Sequence, residues 1–155
     1  MPLTFEGTLD NAQGRYGIVV SRYNDSITGK LLAGAIGKLT EHGIGDDSID
    51  VFWVPGAYEL PLIVDRVASS SQYAAVLCLG AVIRGDTTHD QHINRAVSLG
   101  LMEVGMRTGV PVLFGVLTCE TLEQAIHRAG GNAGNKGVEC AEAALQMVSL
   151  LGQLP

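Results

Sequence analysis

Four short runs rich in β-branched and apolar residues, YGIVVS, DVFWV, AAVLCLGAV and VPVLFGVLT, are separated by longer segments whose apolar positions recur at helical spacing. Near-continuous apolar strands alternating with helices are the pattern of a parallel sheet covered on both faces. The pattern therefore predicts a three-layer α/β domain with four parallel strands. After the first run, Asp25 or Ser26 can cap a helix that carries Ile27, Leu31, Leu32, Ala35, Ile36 and Leu39 on one stripe, and Gly43 ends it. Leu60, Ile63, Val64 and Val67 predict a second helix, with Pro61 in the first turn, where its missing N–H is no loss.

A third helix is predicted from about Thr88 to Arg107. Its residues are apolar or small nearly all round (Ile93, Ala96, Val97, Gly100, Leu101, Val104, Gly105), which suits packing on two sides, the outer one against another subunit. Thr121 and Gln124 have the spacing of a capping box and open a short helix to Ala129. GGNAGNKG then breaks the chain before a last amphipathic helix through Leu145 and Val148. Residues 1–15 fit no helix and alternate only weakly, which makes them a candidate edge strand for this chain or for a neighbour.

The 155 residues correspond to one ordinary domain, and neither a repeat nor a linker suggests a second. Apolar residues make up 46% and charged ones only 17%, more apolar than a fully wetted surface needs, so part of the surface is expected to be covered by partner subunits. The longest apolar run, Ala74 to Ile83, falls well short of the roughly 20 residues that span a bilayer. The opening MPLTFEGTLD has neither a basic stretch nor a long apolar core, so no targeting segment and a cytoplasmic location are expected. Cys78, Cys119 and Cys140, odd in number and irregularly spaced, read as small core residues in a reducing compartment. A net charge of -6 argues against nucleic acid or an anionic membrane as partner. An anionic ligand would have to be held by a local cluster of donors.

The third run delivers the chain directly into such a cluster, GDTTH, residues Gly85 to His89. Ligands of open parallel sheets bind beyond the carboxyl ends of the strands, where helix amino termini carry free N–H groups and partial positive charge. Gly85 permits close backbone approach, Thr87 and Thr88 add hydroxyls, and the helix start adds amides: an anion cradle suited to phosphate. VPGAYEL leaves the second run with the small Gly56 and Ala57 and with Glu59 at a helix start, and SRYN leaves the first with Tyr23 at its tip. Gathered on one rim, the three loops describe a ligand with a heteroaromatic ring and a phosphate. Each piece alone has an equally good structural explanation: Asp86 or a threonine as helix cap, Tyr23 as core aromatic, Gly56 as turn residue, Glu59 as solvated acid.

Along nearly its whole length the chain resembles the lumazine synthase family of riboflavin biosynthesis. IVVSRYND, DVFWVPGAYELP, LGAVIRGDTTH, PVLFGVLTCETLEQAIHRAG and AGNKG carry the resemblance, in the family's order and spacing. It implies a flavodoxin-like sheet, subunits in pentameric rings and no cofactor. The implied reaction condenses 5-amino-6-(D-ribitylamino)uracil with 3,4-dihydroxy-2-butanone 4-phosphate to 6,7-dimethyl-8-ribityllumazine. A riboflavin synthase is an implied partner. A non-catalytic carrier of flavin or lumazine is the rival reading, although a carrier has no use for a phosphate cradle beside a histidine. Some members build closed sixty-subunit icosahedral shells and others stop at pentamers or paired pentamers. The uninterrupted GGNAGN connection and the long amino-terminal segment favour the shell.

By resemblance, Tyr23 stacks on the pyrimidine, where phenylalanine or tryptophan is more usual; Ala57, Tyr58 and Glu59 bind the ribityl chain; and Ala81, Val82 and Ile83 lie along the ring. Gly85, Asp86 and Thr87 hold the phosphate together with Arg128, for which the alternative is a cation at a helix end. Phe114, Arg128 and Lys136 reach the site from a neighbouring subunit, and Lys136 could equally be a surface charge. His89 is the implied general acid/base, a role for which imidazole titrates in the right range. The alternatives are a helix-start hydrogen-bond donor, with the substrate phosphate itself as base. DQH, Asp90 to His92, departs from the family, where an aromatic residue commonly follows the histidine. His92 stands at a spacing from His89 that two metal ligands could use, but no cysteine or carboxylate motif completes a site, and no metal is expected. His42 and His127 give no comparable signal.

Overall fold

The structure, a computed structural model, describes residues 1–155. The four predicted runs are strands β1 (Tyr16–Ser21), β2 (Ile49–Val54), β3 (Ala75–Ile83) and β4 (Val112–Cys119), all parallel, in the spatial order β2-β1-β3-β4. Helix α1 (Asp25–Glu41) connects β1 to β2, α2 (Leu60–Ser69) connects β2 to β3, and α3 (His89–Thr108) connects β3 to β4. The first crossover runs one way along the sheet and the next two run the other way. With right-handed crossovers, α1 must then lie on one face and α2 and α3 on the opposite face. They do: α1 packs with the last helix, α5 (Lys136–Leu151), and α2 packs with α3. The fold is a three-layer, flavodoxin-like α/β sandwich.

The period-2 alternation of the strands divides the interior into two cores. Tyr16, Ile18, Val20, Leu77 and Leu79 face the α1/α5 layer, whereas Val19, Val76, Cys78 and Val116 face α2 and α3. Because β3 is central and covered on both sides, all of it except Ile83 is buried, which is why its sequence is an unbroken apolar run.

The helix ends show where local chemistry agreed with the sequence reading and where it did not. α1 closes as predicted at Gly43, whose φ of 87° lies in the left-handed region. Gly43 N–H donates to Thr40 C=O and Ile44 N–H to Leu39 C=O, both at 3.1 Å, a Schellman closure. At its start, neither Asp25 nor Ser26 caps the helix. Asn24 is the N-cap, in the left-handed conformation and without a side-chain cap bond, because its amide is engaged elsewhere. Helix α3 lies within one residue of prediction at each end and closes on Gly109. It buries Val97, Leu101 and Val104 on one side, while Leu99, Met102 and Met106 stay exposed on this chain.

The predicted capping box opens α4 (Leu122–Arg128): Thr121 Oγ1 accepts from Gln124 N–H at 3.2 Å, and Gln124 Oε1 accepts from Glu120 N–H at 2.8 Å. GGNAGN is more than a break, since it forms a small hairpin of β5 (Ala129–Gly131) and β6 (Gly134–Asn135). Asn135 then caps α5, accepting from Gly137 and Val138 N–H. Residues 1–15 pair in no strand of their own chain. They run along the end of α5, where Thr8 N–H donates to Ser149 Oγ (3.1 Å) and Gln153 Nε2 donates to Glu6 C=O (2.8 Å).

Candidate functional site

The sheet changes direction between β1 and β3, and there the loops after β1, β2 and β3 open a cleft of about 440 Å³. Tyr23 and Asn24 stand on one side, Gly56 to Glu59 on another, and Ala81, Val82 and Ile83 form the floor. Gly85, Thr87, His89, Asp90 and Ile93 complete the wall. Eleven of the residues singled out from sequence are thus brought together by one chain: Tyr23, Gly56, Ala57, Tyr58, Glu59, Ala81, Val82, Ile83, Gly85, Thr87 and His89.

The loop after β1 follows β2, with Arg22 N–H donating to Val54 C=O (2.7 Å) and Tyr23 N–H to Pro55 C=O (2.9 Å). This carries Tyr23 out to the rim at 73% exposure, so it is not a core aromatic. Gly56 is extended (φ -143°, ψ 179°), not a turn residue. A Cβ there would come within 3.2 Å of Glu59 Oε1. Gly85 meets nothing within 4 Å of a virtual Cβ and has no positive φ, so what it offers is open space beside the backbone. Thr87 Oγ1 accepts from His89 N–H at 3.2 Å, which pins the first turn of α3 and leaves the imidazole exposed toward the cleft. Asp86 is exposed and, unlike its neighbours Gly85 and Thr87, does not line the cleft.

Phe114, Arg128 and Lys136 lie elsewhere on the same chain. They line a second cleft of about 390 Å³, with Thr118 and Glu139, that shares no residue with the first. Neither Arg128 nor Lys136 forms an ion pair within its own chain. The largest concavity, about 630 Å³, is a third surface between α3, β4 and α5, lined by Met102, Met106, Val112, Phe114, Met147 and Leu151 among others. It contains no ionisable side chain and offers no acid/base chemistry, so its size does not make it the site.

Four cleft residues were not among the site residues carried over from the resemblance: Asn24, Gly56, Asp90 and Ile93. Asn24 carried a local signal, since asparagine is one of the few residues that enters the left-handed region readily. Asp90 places one carboxylate oxygen, Oδ1, in a buried position without a donor, and Asn94 Oδ1 one turn later is in the same condition. The cysteines supply no nucleophile. Burial pushes the Cys78 thiol far up and the Cys140 thiol up to about 11, and it also raises Cys119 despite the nearby Arg128.

The site is therefore cofactor-sized, with an aromatic rim, a backbone floor, a small-residue loop and one imidazole at a helix start. No helix of the chain is long and apolar enough to cross a membrane. Across residues 13–152 of the 155, the sequence matches the family model described as 6,7-dimethyl-8-ribityllumazine synthase.

Proposed function

The chain belongs to the 6,7-dimethyl-8-ribityllumazine synthase family, and from that premise we propose that it condenses 5-amino-6-(D-ribitylamino)uracil with 3,4-dihydroxy-2-butanone 4-phosphate. It is an enzyme, a transferase of riboflavin biosynthesis. The observation that carries the substrate assignment is the meeting of Tyr23, the β3 backbone at Ala81 to Ile83, the Gly85–Thr87 loop and His89 in one cleft at the switch point.

The pyrimidine lies between the Tyr23 ring and the Ala81–Ile83 backbone, and the ribityl hydroxyls reach Ala57, Tyr58 and Glu59. Phosphate sits at the Gly85–Asp86–Thr87 loop against the amino end of α3, where free amides and the helix dipole favour an anion. The uracil's 5-amine attacks the butanone carbonyl, and one water leaves as the imine forms. Loss of a proton from the butanone carbon skeleton expels inorganic phosphate. The enol so formed tautomerises to a ketone at the carbon that bore the free hydroxyl, and the ribityl-bearing nitrogen closes the ring on that new carbonyl with loss of a second water. His89 takes and returns the protons beside the departing phosphate, and holding both reactants in register supplies much of the remaining acceleration.

Phe114, Arg128 and Lys136 complete the site from the adjacent subunit of a ring. In support, they cluster in their own cleft, their two cations are unpaired within the chain, and the apolar α3–β4–α5 surface beside Phe114 is large enough to need covering. The rings close into an icosahedral shell, with residues 1–15 adding a strand to a neighbour, and the assembly works in the cytoplasm with riboflavin synthase as its partner.

The deciding experiment incubates the purified protein with both substrates and follows phosphate release together with lumazine absorbance. Stoichiometric formation of both products is expected. Tight flavin or lumazine binding with no phosphate released above background would replace this reading with that of a carrier.

A further inference from the structure

β1 pairs with β3 only as far as Val20 opposite Leu79, whereas β3 runs on to Ile83. Beyond Ser21 the chain stays with β2 and leaves β3, and that parting is the crevice. Ala81 lies two residues past Leu79, so its carbonyl points to the same edge of β3 but beyond the reach of the β1 ladder. An unpaired carbonyl in such a buried place is costly. Asn24 fills the gap, its Nδ2 donating to Ala81 C=O at 3.0 Å. This is the one hydrogen bond from the 22–24 loop to β3.

Asn24 also sets the loop's shape. Its backbone is left-handed (φ 63°, ψ 45°), and its own carbonyl accepts from Ile27 and Thr28 N–H at 2.9 and 3.0 Å, which starts α1. Tyr23, the preceding residue, makes no side-chain hydrogen bond, so the direction of its ring is inherited from a backbone held to β2 by main-chain bonds and to β3 by Asn24. Resting on the functional reading above, we infer that Asn24 is a positioning residue: it fixes the distance between the Tyr23 ring and the β3 backbone, and with it the width of the slot that receives the planar ring. A misplacement of about 1 Å in such a slot can cost about a hundredfold in rate.

The test is a double-mutant cycle of Tyr23→Ala and Asn24→Gly, read by the binding of 6,7-dimethyl-8-ribityllumazine through its fluorescence. Glycine keeps the left-handed backbone and removes only the amide. Each single variant is expected to weaken binding about tenfold, the loss typical of one hydrogen bond or one stacking contact. The double variant should be no weaker than Tyr23→Ala alone, because Asn24 acts through the ring. The Asn24→Gly complex should quench the lumazine less at saturation, while binding of inorganic phosphate is unchanged. Losses that multiply in the double variant, or wild-type lumazine binding by Asn24→Gly, would overturn the inference. Should the glycine variant not assemble, Asn24→Asp takes its place with the same expectations, since it keeps the size and backbone tolerance but turns a carboxylate toward the Ala81 carbonyl. A wild type that neither binds lumazine nor releases phosphate would overturn the functional reading together with the inference, and so is distinguishable from failure of the cycle alone.

Discussion

Tyr16 keeps its phenol where water does not reach, donating to Ala12 C=O at 2.6 Å, and burial raises its pKa from 10 to about 12. The unfolded chain loses this proton near pH 10 and the folded one only near 12. Between those values the unfolded state binds fewer protons, so stability falls as pH rises, by up to about 3 kcal/mol. Asp50 works in the opposite range. The Tyr73 hydroxyl at 2.7 Å, and then the Arg15 guanidinium, hold its carboxyl below the ordinary value. That contribution is present above the unfolded carboxylate's pKa and is lost as pH falls through the folded one. Unfolding free energies measured across pH should therefore decline at both ends. Tyr16→Phe should flatten the alkaline decline and Asp50→Asn the acid one. In the cleft, His89→Ala should lower kcat by about 10² to 10⁴ with little change in KM, as for loss of a general acid/base. Arg128→Ala should raise KM for the butanone phosphate by about tenfold or more, consistent with loss of a charge-assisted bond worth roughly 1.5–3 kcal/mol. Equal losses for both substrates would remove Arg128 from the phosphate site.

At the scale of elements, the tightest joint is between α1 and α5. A Cβ on Gly137 would lie 1.9 Å from Leu31 C=O, inside the backbone of the facing helix. The same junction carries Asn135, whose Oδ1 caps α5 and whose Nδ2 donates to Lys30 C=O at 3.1 Å. Gly137→Ala must push the two helices apart and lose packing along the Leu31–Ala141–Leu145 core, where close-packed interiors resist such shifts. It should destabilise by about 3 kcal/mol, at the upper end for overpacking, and Asn135→Ala by about 1–2 kcal/mol through its cap. Urea unfolding of both variants checks the order: Gly137→Ala less costly than Asn135→Ala would mean that α5 can shift freely.

At the scale of the whole molecule, a single chain separates the proposed phosphate-binding Arg128 from the cleft that holds His89. If the catalytic unit spans two subunits, refolding a mixture of His89→Ala and Arg128→Ala chains, assayed at butanone phosphate well below its KM, should restore intact sites at about a quarter of the total, those pairing one intact half from each. No recovery would place the whole site on one chain. Light scattering tests the assembly separately, and a particle no larger than a paired pentamer would refute the shell.

The sequence by itself determined the sheet, the three crossover helices and the loops that line the cleft. The physical reason is that period, caps and turn residues are local and all pointed to the same elements. The capping box at Thr121 and the Gly43 closure were legible for that reason. Asn24 was misread in favour of Asp25 or Ser26, because whether its amide caps α1 or crosses to β3 depends on Ala81, 57 residues away. Only the tertiary structure decided the strand order, and hence the crevice between β1 and β3. It alone divided the candidate residues between two clefts, because burial and distance are properties of the packed chain that no window of sequence contains.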